Sequence, residues 1–315
     1  MQDKKIAYAV IHKDENVRAQ SRSGGVFTAL SDAVLEQNGV IYGCSLDENF
    51  TAHHTRAETE EERNSFRGSK YIQSDTGDCY KLCGEDLASG RTVLFSGTPC
   101  QIDGLKCYIE AKKINAENLY TVDIICHSVA SPKVWKKFVD WRSQGKKVDS
   151  VDFRDKESFG WAAHKETLTV EGEKMSSDYF AGIYANNYIN SLCCHNCYYK
   201  SLNRAGDITI GDYWHINEQK SSFNDNKGVS LVIVNTDKGR ALFEKCSDSI
   251  CVEEHNLMES LQPALTENYA IPKEREKFFE NADKMSFDKI VDKYLTDKES
   301  IILKIKMFIM KLIKR

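Results

Sequence analysis

VLFSGTPCQIDGL (Val93–Leu105) is the stretch on which the fold turns. An apolar run, Val93 to Phe95, stops at Ser96-Gly97. Thr98-Pro99-Cys100-Gln101 then has the form of a capping box, with Thr98 as N-cap, Pro99 at the first helical position and Gln101 reaching back. The stretch reads as a buried strand passing directly into a helix, the unit of layered α/β sheets. Cys100 falls in the first turn of that helix, at the carboxyl end of the strand. Free backbone N–H groups and the helix dipole favour a thiolate there. In open α/β sheets the same edge is where ligands bind. A buried cysteine filling a small gap is the other reading.

The alternation extends outward from this unit. KIAYAVI (5–11), VIYGCSL (40–46), RTVLFS (91–96) and LYTVDIIC (119–126) read as strands. GGVFTALSDAVLEQNG (24–39) reads as a helix, with Val26, Leu30, Ala33 and Val34 on one face and Asn38-Gly39 as its stop. Further helical stretches fall around 78–88, 101–111 and 132–143. From about residue 148 the pattern turns β-rich: VDSVDFRD, KETLTVEGEK with a Glu-Gly turn, DITIGDYW (207–214) and VSLVIVN (229–235). The expected fold is α/β (mixed α+β). A layered sheet with flanking helices forms the N-terminal half (1–112), a β-richer C-terminal half (113–270) carries a cysteine cluster, and a helical tail (271–315) follows. With four prolines and no low-complexity linker, the two halves are expected to pack as one body.

Charged residues at 29% and hydrophobic ones at 41% describe a soluble globular chain, long enough at 315 residues to bury a large core. A net charge of −4 gives no overall electrostatic reason to expect nucleic-acid binding. The N-terminus lacks the pattern of a signal peptide, and no apolar run is long enough to span a membrane, so the expected location is cytoplasmic. The terminal IILKIKMFIMKLIKR reads as a basic amphipathic helix. Lys304, Lys311, Lys314 and Arg315 gather opposite Ile302, Ile305, Ile309 and Ile313, with Lys306 apart. Such a helix suits peripheral contact with an anionic membrane or a partner, or packing on its own domain.

Eleven cysteines is an odd count in a chain without a secretion signal, which argues against a disulfide framework. Cys126 ends a strand in VDIICHSVASPKVW, as Cys100 follows one. If the two strands are neighbours, both cysteines emerge at the same edge of the sheet. Cys194-His195-Asn196-Cys197 is a C-x-x-C, which brings two thiolates to one metal from a single turn. Alone it fits half a zinc site, half an iron–sulfur site or a redox dithiol. With Cys100 and Cys126 the ligand count reaches four, which suits a [4Fe–4S] cluster, and Cys193 rivals Cys194 as a donor. The remaining cysteines read as packing. In SRSGGVFTAL, Ser23 reads as an N-cap, and Gly24-Gly25 leave the helix start open to close approach by a phosphate. RGSKYIQSD adds Arg67, Ser69, Lys70 and Tyr71, which suit a phosphate and an aromatic ring. Plain capping and a solvated loop are the alternatives.

Together these stretches resemble the coenzyme F420 hydrogenase/dehydrogenase beta-subunit family. The matches are S-x-SGG-V-F-T-A-L, RGSKY-x-QSD, VLFSGTPCQI-x-GL, D-x-ICH-x-V-x-SPKVW, F-RDK-x-x-x-GW (Phe153–Trp161), C-x-x-C and R-x-x-DITIGDYW, in the family's order over roughly residues 5–240. The resemblance implies an FAD and [4Fe–4S] oxidoreductase that moves electrons between a cluster and a hydride-type small-molecule substrate. That substrate would be coenzyme F420 or another acceptor, some bacterial members being associated with polysaccharide synthesis. By position, Ser23, Gly24, Gly25, Thr28, Lys70, Tyr71, Thr98, Pro99 and Gln101 would surround the flavin, and Cys100, Cys126, Cys194 and Cys197 would hold the cluster. The half 1–112 is then the flavin side and 113–270 the iron–sulfur side. Arg154, Asp212 and Trp214 match family signatures without an assigned role.

The chain departs from the family pattern in three places. It starts just after the ferredoxin-type segment of many bacterial relatives would end, so electrons would come from a separate ferredoxin-like partner. His127-Ser128, Ala130 and His215 replace the usual His-Gly, Pro and Gly. Ser191-Leu192-Cys193 replaces the usual arginine and proline before the C-x-x-C. The competing functions are a partner-binding or zinc-stabilised protein that kept the fold and lost the flavin, and a dithiol oxidoreductase using Cys194 and Cys197.

Overall fold

The computed structural model describes residues 6–295. Eleven strands follow in chain order: β1 (Ile6–His12), β2 (Val40–Leu46), β3 (Ala52–Ala57), β4 (Val93–Gly97), β5 (Leu119–Ile124), β6 (Val148–Asp152), β7 (Glu166–Val170), β8 (Glu173–Ser177), β9 (Ile208–Asp212), β10 (Ser230–Val234) and β11 (Ile250–Asn256). Eight of them form one sheet in the order β11-β1-β10-β9-β5-β4-β2-β3. Its centre, β9-β5-β4-β2, is parallel. Antiparallel strands extend it on both sides. This is the mixed α/β architecture expected from the alternation, and strands from both halves of the chain share the sheet.

The apolar runs are continuous because helices cover both faces of this sheet. Successive residues of a strand point to opposite faces, so Ile41 and Leu94 pack under the helices Val26–Leu35 and Asp237–Lys245. Their neighbours Val40, Tyr42, Val93 and Phe95 pack under Cys79–Ala88 and Pro99–Ala111. A smaller sheet, β6-β7-β8, gathers the helices Pro132–Ser143, Tyr179–Ala185, Arg275–Lys284 and Phe287–Tyr294 around Phe138, Phe153, Phe180 and Phe278. Its β7–β8 turn has Glu171 and Gly172 at φ 49° and 83°, the left-handed pair that a tight hairpin demands.

Strands β3 and β11 and the true start of the second helix go beyond the sequence reading. That helix begins at Val26, with Gly25 as its N-cap at φ 94°. Ser23 does not cap it: the Ser23 hydroxyl donates to the Val229 carbonyl at 2.6 Å. Gly24 is needed at this point for a different reason. A Cβ there would stand 2.0 Å from the Val10 carbonyl oxygen, because the loop presses on the backbone of β1 and β10. Among the described residues no helix is long and apolar enough to cross a membrane. The basic terminal helix expected from Ile301 to Arg315 lies outside them.

Candidate functional site

β4 and β5 pair in parallel, so the loops carrying Cys100 and Cys126 leave the sheet at one edge, as the strand pattern anticipated. A cavity opens at this carboxyl edge, lined by the ends of β4, β5 and β9 and by residues of 21–27 and 66–74. It encloses about 1330 Å³ with its open mouth included. Ser23, Gly25, Lys70, Tyr71, Thr98 and Gln101 line it, as does Cys126. Gly24, Thr28 and Pro99 stand buried behind the wall. Thr28 acts from there, its hydroxyl accepting from Arg67 Nε at 3.0 Å, which fixes a guanidinium that does line the cavity.

One part of the wall is cationic. Arg22, Arg67 and Lys70 line the cavity, and among the described residues none of the three pairs with a carboxylate. Arg22 spends both Nη groups on the carbonyls of Arg154 and Trp161. Lys70 Nζ donates to the carbonyls of Ser65 and Arg67 at 2.8 and 2.9 Å, and burial lowers its pKa to about 8. Unpaired cations beside a helix N-terminus suit an anionic group of phosphate type.

The capping box at Thr98 is part of a longer chain of hydrogen bonds. Gln101 Oε1 accepts from the Thr98 N–H at 3.0 Å, and its Nε2 donates to Ser74 Oγ at 2.8 Å. Ser74 Oγ lies 3.2 Å from His54 Nδ1, and His54 Nε2 lies 3.1 Å from the Ser96 carbonyl. A carbonyl only accepts, so the proton sits on Nε2 and Nδ1 accepts from Ser74. Burial lowers the His54 pKa to about 4, which keeps the ring neutral. Sequence reasoning missed His54 and Ser74. Ser74 lies within RGSKYIQSD without being singled out there, His54 lies in no motif, and the network joins segments up to 47 residues apart, from His54 to Gln101.

Tyr71 is held by the residues that lacked a role. Arg154 Nη1 donates to the Tyr71 hydroxyl at 3.1 Å and to Asp212 Oδ2 at 2.6 Å. The Arg154 guanidinium lies 4.8 Å over the Trp214 ring, which stacks on Trp161 at 5.0 Å.

The cysteines form a second group that touches the cavity. Burial pushes the Cys126 thiol up to about 12. The Lys200 charge opposes the shift, while Cys194, Cys100 and Cys197 are near enough to add to it. Lys200 Nζ donates to the Cys126 carbonyl at 2.6 Å. Cys100 and Cys193 are exposed, the Cys193 thiol lying 3.1 Å from the Ser191 hydroxyl and close enough to Cys194 to help raise its thiol pKa. Among the described residues no three His, Cys, Asp or Glu side chains converge on a point as one metal ion requires. A single zinc needs every thiolate at about 2.3 Å. A four-iron cluster asks less convergence, because each thiolate meets a different iron, and the all-thiol donor set suits it.

Residues 90–260 match the family model that describes the C terminus of the coenzyme F420 hydrogenase/dehydrogenase beta subunit. A solved chain from the F420-reducing [NiFe] hydrogenase complex of Methanosarcina barkeri has a similar fold. Its TM-score is 0.54 at 19% identity, with 91% of each chain covered. No curated protein matches.

Proposed function

The chain belongs to the coenzyme F420 hydrogenase/dehydrogenase beta-subunit family, and from that premise we propose that it is an oxidoreductase with a flavin in the cavity and an iron–sulfur cluster on Cys100, Cys126, Cys194 and Cys197. The observation that carries this reading is the double position of Cys126, which lines the cavity and belongs to the thiol group. A ring bound in the cavity would then stand beside the cluster. Such a pair, when bound, exchanges an electron pair at the ring and single electrons at the cluster.

The chain's own residues prepare this arrangement. Arg22, Arg67 and Lys70 would hold the flavin's diphosphate, with Gly25 leaving the helix start open beside them. Tyr71, held by Arg154, and the Thr98–Gln101 turn would hold the ring. Neutral His54 keeps that turn in place without adding charge. Lys200 supplies a cation that favours thiolates in the cysteine group. The electron partner is a separate protein, a reading supported by the multi-subunit hydrogenase complex to which the similar solved chain belongs, and we take it to be of ferredoxin-like type. The substrate is a hydride-type carrier such as coenzyme F420.

Anaerobic purification with iron, sulfide and zinc analysis tests this reading. A yellow-brown protein that releases FAD on denaturation is the expected result. Colourless protein with stoichiometric zinc would overturn it. Cys100→Ser should lose iron while Cys44→Ser and Cys193→Ser keep it. Equal iron in all three would remove Cys100 from the ligand set.

A further inference from the structure

Lys200 follows the C-x-x-C by three residues and ties it to the end of β5. Its backbone N–H donates to the Cys197 carbonyl at 3.3 Å, and its Nζ donates to the Cys126 carbonyl at 2.6 Å. Nζ also donates to the Ala264 carbonyl at 2.8 Å and stands 5.0 Å from the centre of the Tyr269 ring. Tyr269 is held by the same turn, its carbonyl accepting from His195 Nδ1 at 2.9 Å. The ammonium is thus locked, half-buried, between two carbonyls and an aromatic face. Among the described residues no carboxylate pairs with it, while Arg204, a second cation acting on it, is neutralised by Asp123 at 3.0 Å. Carbonyl dipoles offset only part of the hydration that such a cation gives up, and a nearby anion is what closes the balance. Burial lowers the Lys200 pKa, and Cys126, Cys197 and Cys194 are near enough to oppose that shift. The anion available at this point is therefore a set of thiolates.

We propose that Lys200 sets the reduction potential of the iron–sulfur cluster on Cys100, Cys126, Cys194 and Cys197, its fixed charge favouring the electron-rich state. The proposal rests on the cluster reading and adds to it the residue that tunes the cluster. A cluster held by four thiolates is an anion, and an added electron makes it more negative. A fixed cation stabilises the more negative state, which raises the potential. The two carbonyl bonds matter because they keep the charge in place and stop the long side chain from swinging out to solvent. Lys200 neither binds iron nor carries electrons.

Charge is separated from shape by comparing Lys200→Met, close in length and neutral, with Lys200→Arg, which keeps the cation and its donors. The whole chain and both variants are purified anaerobically, assayed for iron and taken through a redox titration followed by electron paramagnetic resonance. Lys200→Met is expected to be about tenfold harder to reduce, a fall of about 59 mV for one electron. Lys200→Arg should keep the potential of the unsubstituted chain. An unchanged potential in Lys200→Met overturns the proposal. So does an equal fall in both variants, which would mean that Lys200 acts by bracing the backbone. If Lys200→Met loses its iron, Lys200→Arg decides: iron retained at the original potential supports the role of the charge, and iron lost there too overturns it. An unsubstituted chain that holds no iron is a separate result, which overturns the cluster reading itself and the proposal with it.

Discussion

Arg154 and Asp212 meet at 2.6 Å with both side chains almost fully buried, and the second carboxylate oxygen accepts from Trp161 Nε1 at 2.9 Å. The pair joins the smaller sheet's side of the cavity to the end of β9. Two buried charges stabilise only as long as each satisfies the other. Asp212→Leu strands the guanidinium and should cost about 3–5 kcal/mol of unfolding free energy. Removing both charges in Arg154→Met/Asp212→Leu should cost clearly less than the sum of the two single changes, because no orphaned ion remains. Urea denaturation of the four proteins measures this. Additive losses would mean that the two residues act independently.

His54 makes stability fall in mild acid. Its ring is buried and neutral, with a folded pKa near 4 against an ordinary value of 6.5. Between those values the unfolded chain takes up a proton that the folded chain refuses. Stability therefore rises with pH across this window, and below about 4 the contribution is constant. The slope from one such group is at most about 1.4 kcal/mol per pH unit. His54→Gln, which cannot titrate, should show a shallower dependence of urea midpoint on pH between 4 and 6.5. An identical slope in both proteins would remove His54 from the account.

The parts of this fold legible in the sequence are those whose physics is local. β2, β4 and β5 are short apolar runs that end at turns, and the strand-to-helix passage at Thr98 announces itself through its capping residues. β3 is hidden because Ala52–Ala57 carries His53, His54 and Arg56, polar residues that a two-sided core does not explain. β11 lies at the sheet edge, where Glu253, Glu254 and His255 interrupt the apolar run. Ser23 departs from its expected capping role for a related reason. Gly25 can adopt the left-handed conformation and cap the helix with its backbone, which frees the serine to bond across to Val229. The thiol group is readable residue by residue, and its position against the cavity requires knowing that β4 and β5 are neighbours. The His54–Ser74–Gln101 chain exists only after folding, and no spacing in the sequence joins its three members.

Lys70 should make binding of an anionic ligand depend on pH in the alkaline range. The ammonium gives two of its three donors to backbone carbonyls, leaving one for a ligand, and burial brings its pKa down to about 8. Below that value the free protein already holds the charge. Above it the lysine is neutral, and binding a phosphate group requires a proton to be taken up. Proton uptake on binding means that affinity falls as pH rises past about 8. A diphosphate in the ligand is fully ionised throughout this range, so the change belongs to the protein. FAD titrations at pH 7 and pH 9 should therefore show weaker binding at the higher pH. Lys70→Gln should bind more weakly at pH 7 and show little further change at pH 9, whereas Lys70→Arg should keep its charge and its affinity at both. An unaltered pH dependence in Lys70→Gln would place the anion elsewhere on the cavity wall, with Arg22 and Arg67 as the next cations to replace.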